Sequence, residues 1–228
     1  MVFLPLHWNA RAAKNDIAGC WQARLQMPRG LPGRLFTASA AAFQPAPAIP
    51  AYQRHHSKNH ENAQERKVPA TLPATGTVQA AFTPGDDAAK LITDAIDAAQ
   101  RQVLVQAFSF THRKIADALI AASRRGVDVK VISDKDQIRR IPTSVISMIA
   151  MEGVSVFTDS DHDSAHNKVM VIDAGGPDAT LITGSFNFTH AAQYKNAENV
   201  LLIKGNEALT DLYRKNWQRH YEHSRPYQ

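Results

Sequence analysis

A mixed β-sheet with helices on both of its faces, preceded by a largely disordered N-terminal segment, is the α/β architecture that this 228-residue sequence predicts. Three observations predict it. From residue 77 onward, short apolar runs first alternate with amphipathic stretches and then follow one another directly, as parallel strands with helical crossovers and an antiparallel set would. Proline use changes at the same boundary, since eight of the twelve prolines precede residue 77. Charge changes there too: residues 1–76 hold nine Lys/Arg against three Asp/Glu, and residues 77–228 hold 17 against 18. The formal charge of +5 therefore belongs to the front segment and says little about what the rest binds.

Composition narrows the class. With 44% hydrophobic and 21% charged residues the chain can bury a core. No apolar run approaches the roughly 18 residues of a membrane-spanning helix. A single cysteine, Cys20, excludes an internal disulfide and a multi-thiolate metal site. In the front segment, Gln44–Pro50 reads as an extended linker and His55–His60 as solvated coil. Ile17-Ala18-Gly19-Cys20 has the outline of a lipoprotein cleavage box, but Arg11, Lys14 and Asp16 stand where an apolar stretch belongs. A second targeting reading starts at Met27, with Arg29 and Arg34 ahead of the apolar stretch Leu35–Phe43. With an export signal there, the protein is periplasmic or secreted; without one it is cytoplasmic.

The elements of 77–228 follow in order. Thr77–Phe82 is a strand, and Asp86 or Asp87 caps a helix whose apolar face is Ala88, Leu91, Ile92, Ala95 and Ala99. Val103–Phe110 is a strand, Arg113–Arg125 a helix stopped by Gly126, and Val127–Ser133 a buried strand. A basic loop carrying Lys135, Arg139 and Arg140 leads to a helix over Ser144–Glu152, stopped by Gly153, and a strand over Val154–Phe157. Asp159, Asp161, His162 and Asp163 lack the glycine and closing glutamate of a calcium loop and read as a solvated acidic loop. Strands Lys168–Asp173 and Thr180–Gly184 flank a turn, Asn199–Lys204 is another strand, and Glu207–His220 closes the chain as an amphipathic helix. Phe108 and Phe110 read as core, and Trp217 and Tyr221 as core or dimer surface.

Chemistry concentrates in His166-Asn167-Lys168-Val169-Met170-Val171-Ile172-Asp173 and in Gly184-Ser185-Phe186-Asn187. Residues two apart on a strand share a face, so His166 and Lys168 point together, and Ser185 and Asn187 repeat the alternation. Val169 through Ile172 are apolar on both faces, as in a central strand, and such a strand has no structural use for a cation at its mouth. An imidazole, an ammonium, an amide and a hydroxyl with no carboxylate pair suit a tetrahedral oxyanion and not a metal. His-x-Lys alone is uninformative, since His56-Ser57-Lys58 and His112-Arg113-Lys114 share it. With Asp seven residues on, it arises by chance in on the order of one chain in fifty; the Gly-Ser-x-Asn element then removes coincidence.

These residues resemble the HKD motif of the phospholipase D superfamily. The similarity runs from about Val78 to Tyr221 and includes Ala107–Thr111, Arg124–Lys130, Gly184–Thr189 and Lys195–Asn199. It is nearest to the small bacterial Nuc-type endonucleases, which carry one motif per chain and work as homodimers. The turn at 174–179 is a few residues longer than the family's, and residues 1–76 have no counterpart in it. The resemblance implies that His166 attacks phosphorus and forms a phosphohistidine, that Lys168, Asn187 and Ser185 hold nonbridging oxygens, and that Glu198 fixes the histidine's other nitrogen. Asp173, at the far end of the strand, has an orienting role. No cofactor and no catalytic metal are implied.

One histidine cannot both carry the phosphoryl group and protonate the leaving oxygen. A twofold axis that brings in the His166 of a second chain solves this, and the resemblance implies the same homodimer with a shared site. Within one chain, His112 or His162 is the alternative acid. The expected substrate is DNA or RNA, with Lys135, Arg139 and Arg140 on the phosphate backbone. A phospholipid headgroup is the first alternative and a non-enzymatic nucleic-acid-binding module the second.

Overall fold

The structure, a computed structural model, describes residues 68–228. The linker tract, the coil His55–His60, Cys20 and both targeting segments lie outside the described residues. Residues 68–76 run without regular structure, and the Pro73 carbonyl accepts a hydrogen bond from Asn206 at 3.0 Å.

Strand β1 (Thr77–Thr83) leads into helix α1 (Ala88–Asp97), whose first turn is capped by Asp87 accepting from the Lys90 N–H at 2.9 Å. Next come β2 (Gln102–Ala107), α2 (Arg113–Arg124), β3 (Asp128–Asp134), α3 (Lys135–Arg140), α4 (Ile146–Met151) and β4 (Ser155–Asp159). Then β5 (Lys168–Ile172) and β6 (Thr180–Gly184) form a hairpin. Helix α5 (His190–Tyr194), β7 (Glu198–Lys204), α6 (Glu207–His223) and β8 (Arg225–Pro226) complete the chain.

The eight strands make one sheet in the order β1-β7-β6-β5-β2-β3-β4-β8. Strands β2, β3 and β4 are parallel, so each connection must cross over the sheet, and α2 and α4 provide the crossovers. All other pairings are antiparallel. Alternation along β2 shows how the faces are covered. Val103, Val105 and Ala107 join the core formed with Ile92 and Ile96 of α1, Ile115 and Leu119 of α2, and Ile149 of α4. Leu104 faces the opposite way, into a smaller core with Val169, Val171, Leu181 and Trp217 of α6. Helices therefore lie on both faces, as the sequence predicts.

Three local differences have physical causes. The basic segment expected as a loop is α3, because Asp134 caps it by accepting from the N–H groups of Asp136 and Gln137 at 3.0 and 2.9 Å. None of its six residues is buried, so no apolar period could reveal it. Helix α5 is a single short turn capped by Thr189, and β8 is two residues whose only signal is their pairing with Phe157 and Thr158.

Trp217 is 2% exposed, donates from Nε1 to the Val105 carbonyl at 3.0 Å and stacks on Tyr221 with ring centroids 5.1 Å apart. It is the largest side chain fastening α6 to the sheet. Trp217→Ala is expected to cost about 3–5 kcal/mol of stability, read as a lower urea midpoint at unchanged slope. A cost below about 1 kcal/mol would mean that α6 is not docked through this residue.

Candidate active site

The topology collects the chemistry on one edge of the sheet. Lys168, the first residue of β5, pairs with Ala107, the last of β2. Because β6 runs back along β5 and β7 back along β6, the end of β6 at Gly184 and the start of β7 at Glu198 reach the same edge. Here the parallel half of the sheet meets the antiparallel half, a place where open α/β sheets bind ligands.

Lys168 is 8% exposed although it carries an ammonium. Its Nζ donates to the His166 carbonyl at 2.7 Å, stands 2.9 Å from His166 Nδ1 and lies 5.0 Å from the centre of the Phe108 ring. Burial lowers the lysine's pKa, and the nearby Glu198 carboxylate raises it, with burial the larger effect. An ammonium can approach an imidazole nitrogen at this distance only through the nitrogen's lone pair. His166 itself is exposed, with its ring 4.2 Å from that of Phe108. Phe108, expected in the core, is instead half-buried and forms the wall against which both motif residues rest. Only the spatial approach of β2 to the His166 loop, held by the Phe108 N–H to the Asn167 carbonyl at 2.9 Å, discloses that role.

The β6–β7 side is a second hydrogen-bonded group. Ser185 Oγ donates to Glu198 Oε2 at 2.6 Å and accepts from the Asn199 N–H at 3.0 Å, while Asn196 Nδ2 donates to Glu198 Oε1 at 2.9 Å. A direct Glu198–His166 hydrogen bond, the contact that the resemblance implies, is not formed among the described residues. Both carboxylate oxygens are occupied by Ser185 and Asn196, and Glu198 acts on the cluster through Ser185 and through its charge on Lys168. Asn196 and Asn199, from the resembling segment Lys195–Asn199, are further members of this group. Gly184 makes the approach possible: a Cβ there would collide with the Asn199 carbonyl oxygen, which accepts from the N–H groups of Ser185 and Phe186 at 3.1 and 3.3 Å. The buried Asn187 Oδ1 has no hydrogen-bond partner among the described residues, a cost of about 1–3 kcal/mol that Gln106 Oε1 and His112 Nδ1 share.

The remaining candidates separate from this cluster. Asp173 sits at the opposite end of β5 and touches none of it. Its carboxylate accepts from the backbone N–H groups of Gln100, Arg101 and Gln102 at 2.8, 2.8 and 2.9 Å, so it braces the turn between α1 and β2. Burial pushes its pKa up, but these three donors outweigh burial and hold it below the usual value. His112 is buried at the start of α2, where burial lowers its pKa. Asp159, expected in a solvated acidic loop, is 1% exposed and bound by His162, His220 and His223. Of the basic residues on α3, Lys135 donates to the Ser160 carbonyl at 3.3 Å and Arg140 pairs with Asp136 at 3.2 Å, while Arg139 is exposed. Their helix leaves the same end of the sheet as the His166 cluster.

Comparisons with known proteins agree with this geometry. Residues 92–221 match the family described as "Cardiolipin synthase, PLD-like domain". The chain is 39% identical over 140 residues to a phospholipase D of Rickettsia bellii, covering 61% of this chain and 67% of that protein. It is 34% identical over 128 residues to the mitochondrial cardiolipin hydrolase of Xenopus laevis, covering 56% and 58%. Among solved structures, Nuc from Salmonella typhimurium, a phospholipase D family member, superposes with a TM-score of 0.62 at 36% identity, over 68% of this chain and 99% of that one. NucT from Helicobacter pylori shares the fold with a TM-score of 0.60 at 21% identity, over 67% and 100%.

Asp173→Ala is expected to cost about 3 kcal/mol at neutral pH, because it strands three backbone donors that now share one charge. A carboxyl whose folded pKa lies below the ordinary 3.8 stabilises fully above that value and loses its contribution as pH falls through the folded one. The stability gap between wild type and variant, measured by urea unfolding, is therefore constant from about pH 7 to 5 and narrows below about pH 4. A gap that widens on acidification contradicts this role.

Proposed function

The chain belongs to the phospholipase D superfamily of phosphodiester-cleaving hydrolases, and on that ground we propose that it is an endonuclease whose chemistry needs no metal and runs through a phosphohistidine. The observation that carries this reading is the Lys168–His166 pair: a buried ammonium held against an exposed imidazole at a sheet edge.

When a phosphodiester enters, the Lys168 ammonium turns from the imidazole to a nonbridging oxygen, which frees the ring nitrogen. That nitrogen attacks phosphorus, the P–N bond forms and the P–O bond to the leaving alcohol breaks. The leaving oxygen takes a proton from a general acid. Water then attacks phosphorus, gives its proton to the same group, and the P–N bond breaks to restore a neutral histidine. Lys168, with the Asn187 amide and Ser185, supplies fixed donors to the equatorial oxygens. Glu198 orients Ser185 and sustains the charge on Lys168.

The acid and base is His166 of the partner subunit. Supporting this, the sheet face that α6 covers continues past the helix onto β1 and β7, where Val78, Phe82 and Leu201 are 62%, 60% and 37% exposed. Phe82 pairs with Asn199 and Thr83 with Glu198, so this apolar strip borders the cluster and suits a twofold contact. Nucleic acid is favoured as substrate by the open edge, the basic residues of α3 beside it and the likeness to Nuc along nearly that protein's whole length. Among the described residues no helix is long and apolar enough to cross a membrane.

Supercoiled plasmid is expected to be nicked in excess EDTA at 25 °C by protein whose fold is verified by circular dichroism. His166→Ala should abolish nicking, and Lys168→Ala should slow it about a hundredfold, the loss of about 3 kcal/mol of donor stabilisation. Release of headgroup from phosphatidylglycerol or cardiolipin vesicles, without nicking, would replace the nuclease by the phospholipid reading. In equal mixtures of wild-type and His166→Ala subunits, a shared centre leaves only wild-type homodimers active, about one quarter of the total. Activity of about one half would place the acid within one chain.

A further inference from the structure

Four side chains outside this cluster converge on one point. Asp159, the last residue of β4, has a side chain closed to solvent, and its Oδ2 lies 3.1 Å from His162 Nδ1, 3.0 Å from His220 Nδ1 and 3.2 Å from His223 Nε2. The three imidazole rings surround it, with centroids 4.9, 5.1 and 5.3 Å apart. One ligand atom from each of the four residues falls within 4.8 Å of all the others. We infer that Asp159, His162, His220 and His223 form a structural site for a divalent transition cation, zinc by preference, which fastens the end of α6 to the strand leading into the His166 loop.

Hydrogen bonding alone accounts poorly for the arrangement. A carboxylate oxygen offers about two lone-pair directions, and three ring nitrogens crowd this one. Among the described residues neither lysine nor arginine shares the carboxylate. Around a tetrahedral zinc with bonds of about 2.0–2.1 Å, ligand atoms sit roughly 3.3 Å from each other, close to the three Asp159–histidine distances observed. Three imidazoles and one carboxylate are borderline donors, which select zinc over the oxygen-loving calcium and magnesium. The spacing is also that of a ligand set: Asp159 and His162 are three residues apart, and His220 and His223 are three apart on α6, hence on one helix face.

Four protein ligands close a tetrahedral shell and leave no place for a reacting water, which marks a structural and not a catalytic ion. The site lies three strand spacings from β5, roughly 14 Å, and supplies nothing to the phosphohistidine chemistry. Its consequence is mechanical. His162 is four residues before His166, and β8, two residues beyond α6, pairs with β4 beside the cluster. One ion would pin the chain end and the start of the catalytic loop together.

The test uses the full chain, stripped with chelator and dialysed. Titration with zinc against a chromophoric chelator should show one ion per chain, and saturating zinc should raise the thermal midpoint by about 5–10 °C. Cobalt should bind with the visible absorption of a tetrahedral complex. The double variant His220→Asn/His223→Asn should lose both uptake and shift. If it does not fold, His162→Asn, at the most exposed ligand, should weaken uptake at least tenfold. His166→Ala should bind as wild type does, since none of these readouts depends on catalysis. Wild-type protein that takes up less than about a tenth of an ion per chain, or a zinc shift that survives in the double variant, overturns the site.

Discussion

A lysine that must be buried and still charged is the constraint around which this fold is arranged. Strand β5 is closed to solvent along its whole length, and Lys168 stands at its mouth. Burying an ammonium without partners costs several kcal/mol, so the charge persists only because neighbouring strands bring compensation to it. The His166 carbonyl accepts from it, the Phe108 ring lies beneath it, and Glu198 supplies the opposite charge from β7. The same desolvation that strains the free site favours an anionic oxygen placed beside the ammonium.

The two ends of β5 divide function from support. One end carries His166 and Lys168 against the β6–β7 group, where Gly184 lets the Asn199 carbonyl come close enough to organise Ser185. At the other end the motif's aspartate holds three backbone N–H groups of the α1–β2 turn. Five residues of rigid strand connect the ends. Asp173 thus fixes the position of β5 relative to β2, and through that register the distance of Lys168 from Phe108. A motif that spans eight residues in sequence is two sites in space, one chemical and one mechanical.

The segment between Asp159 and Lys168 belongs to both halves of this picture. It leaves a parallel strand, crosses the sheet edge past Asp134, whose Oδ2 accepts from the Ala165 N–H at 3.0 Å, and enters β5. The loop carrying His166 is held without being paired into the sheet. Asp134 holds its middle, the Phe108–Asn167 hydrogen bond its end, and the histidine cluster on Asp159 its beginning.

By itself the sequence determined the fold class, the order of the longer elements and the superfamily, and it singled out His166, Lys168, Ser185 and Asn187 as candidates, because period-two burial and motif spacing are local and survive in one dimension. It also placed Asp173 at the far end of its strand, since a strand has a fixed rise per residue. Tertiary structure decided what depends on groups distant in the chain. Phe108 became a wall of the site through the pairing of β2 with β5, and Glu198 was diverted from His166 by Ser185 and Asn196. The segment around Arg139 became a helix through the Asp134 cap. Asp161, His162 and Asp163 are exposed as expected, and Asp159 alone left the solvated loop when α6 delivered His220 and His223 from sixty residues away, a convergence that no local pattern encodes, because a site built by chain ends meeting exists only after the sheet has closed between them.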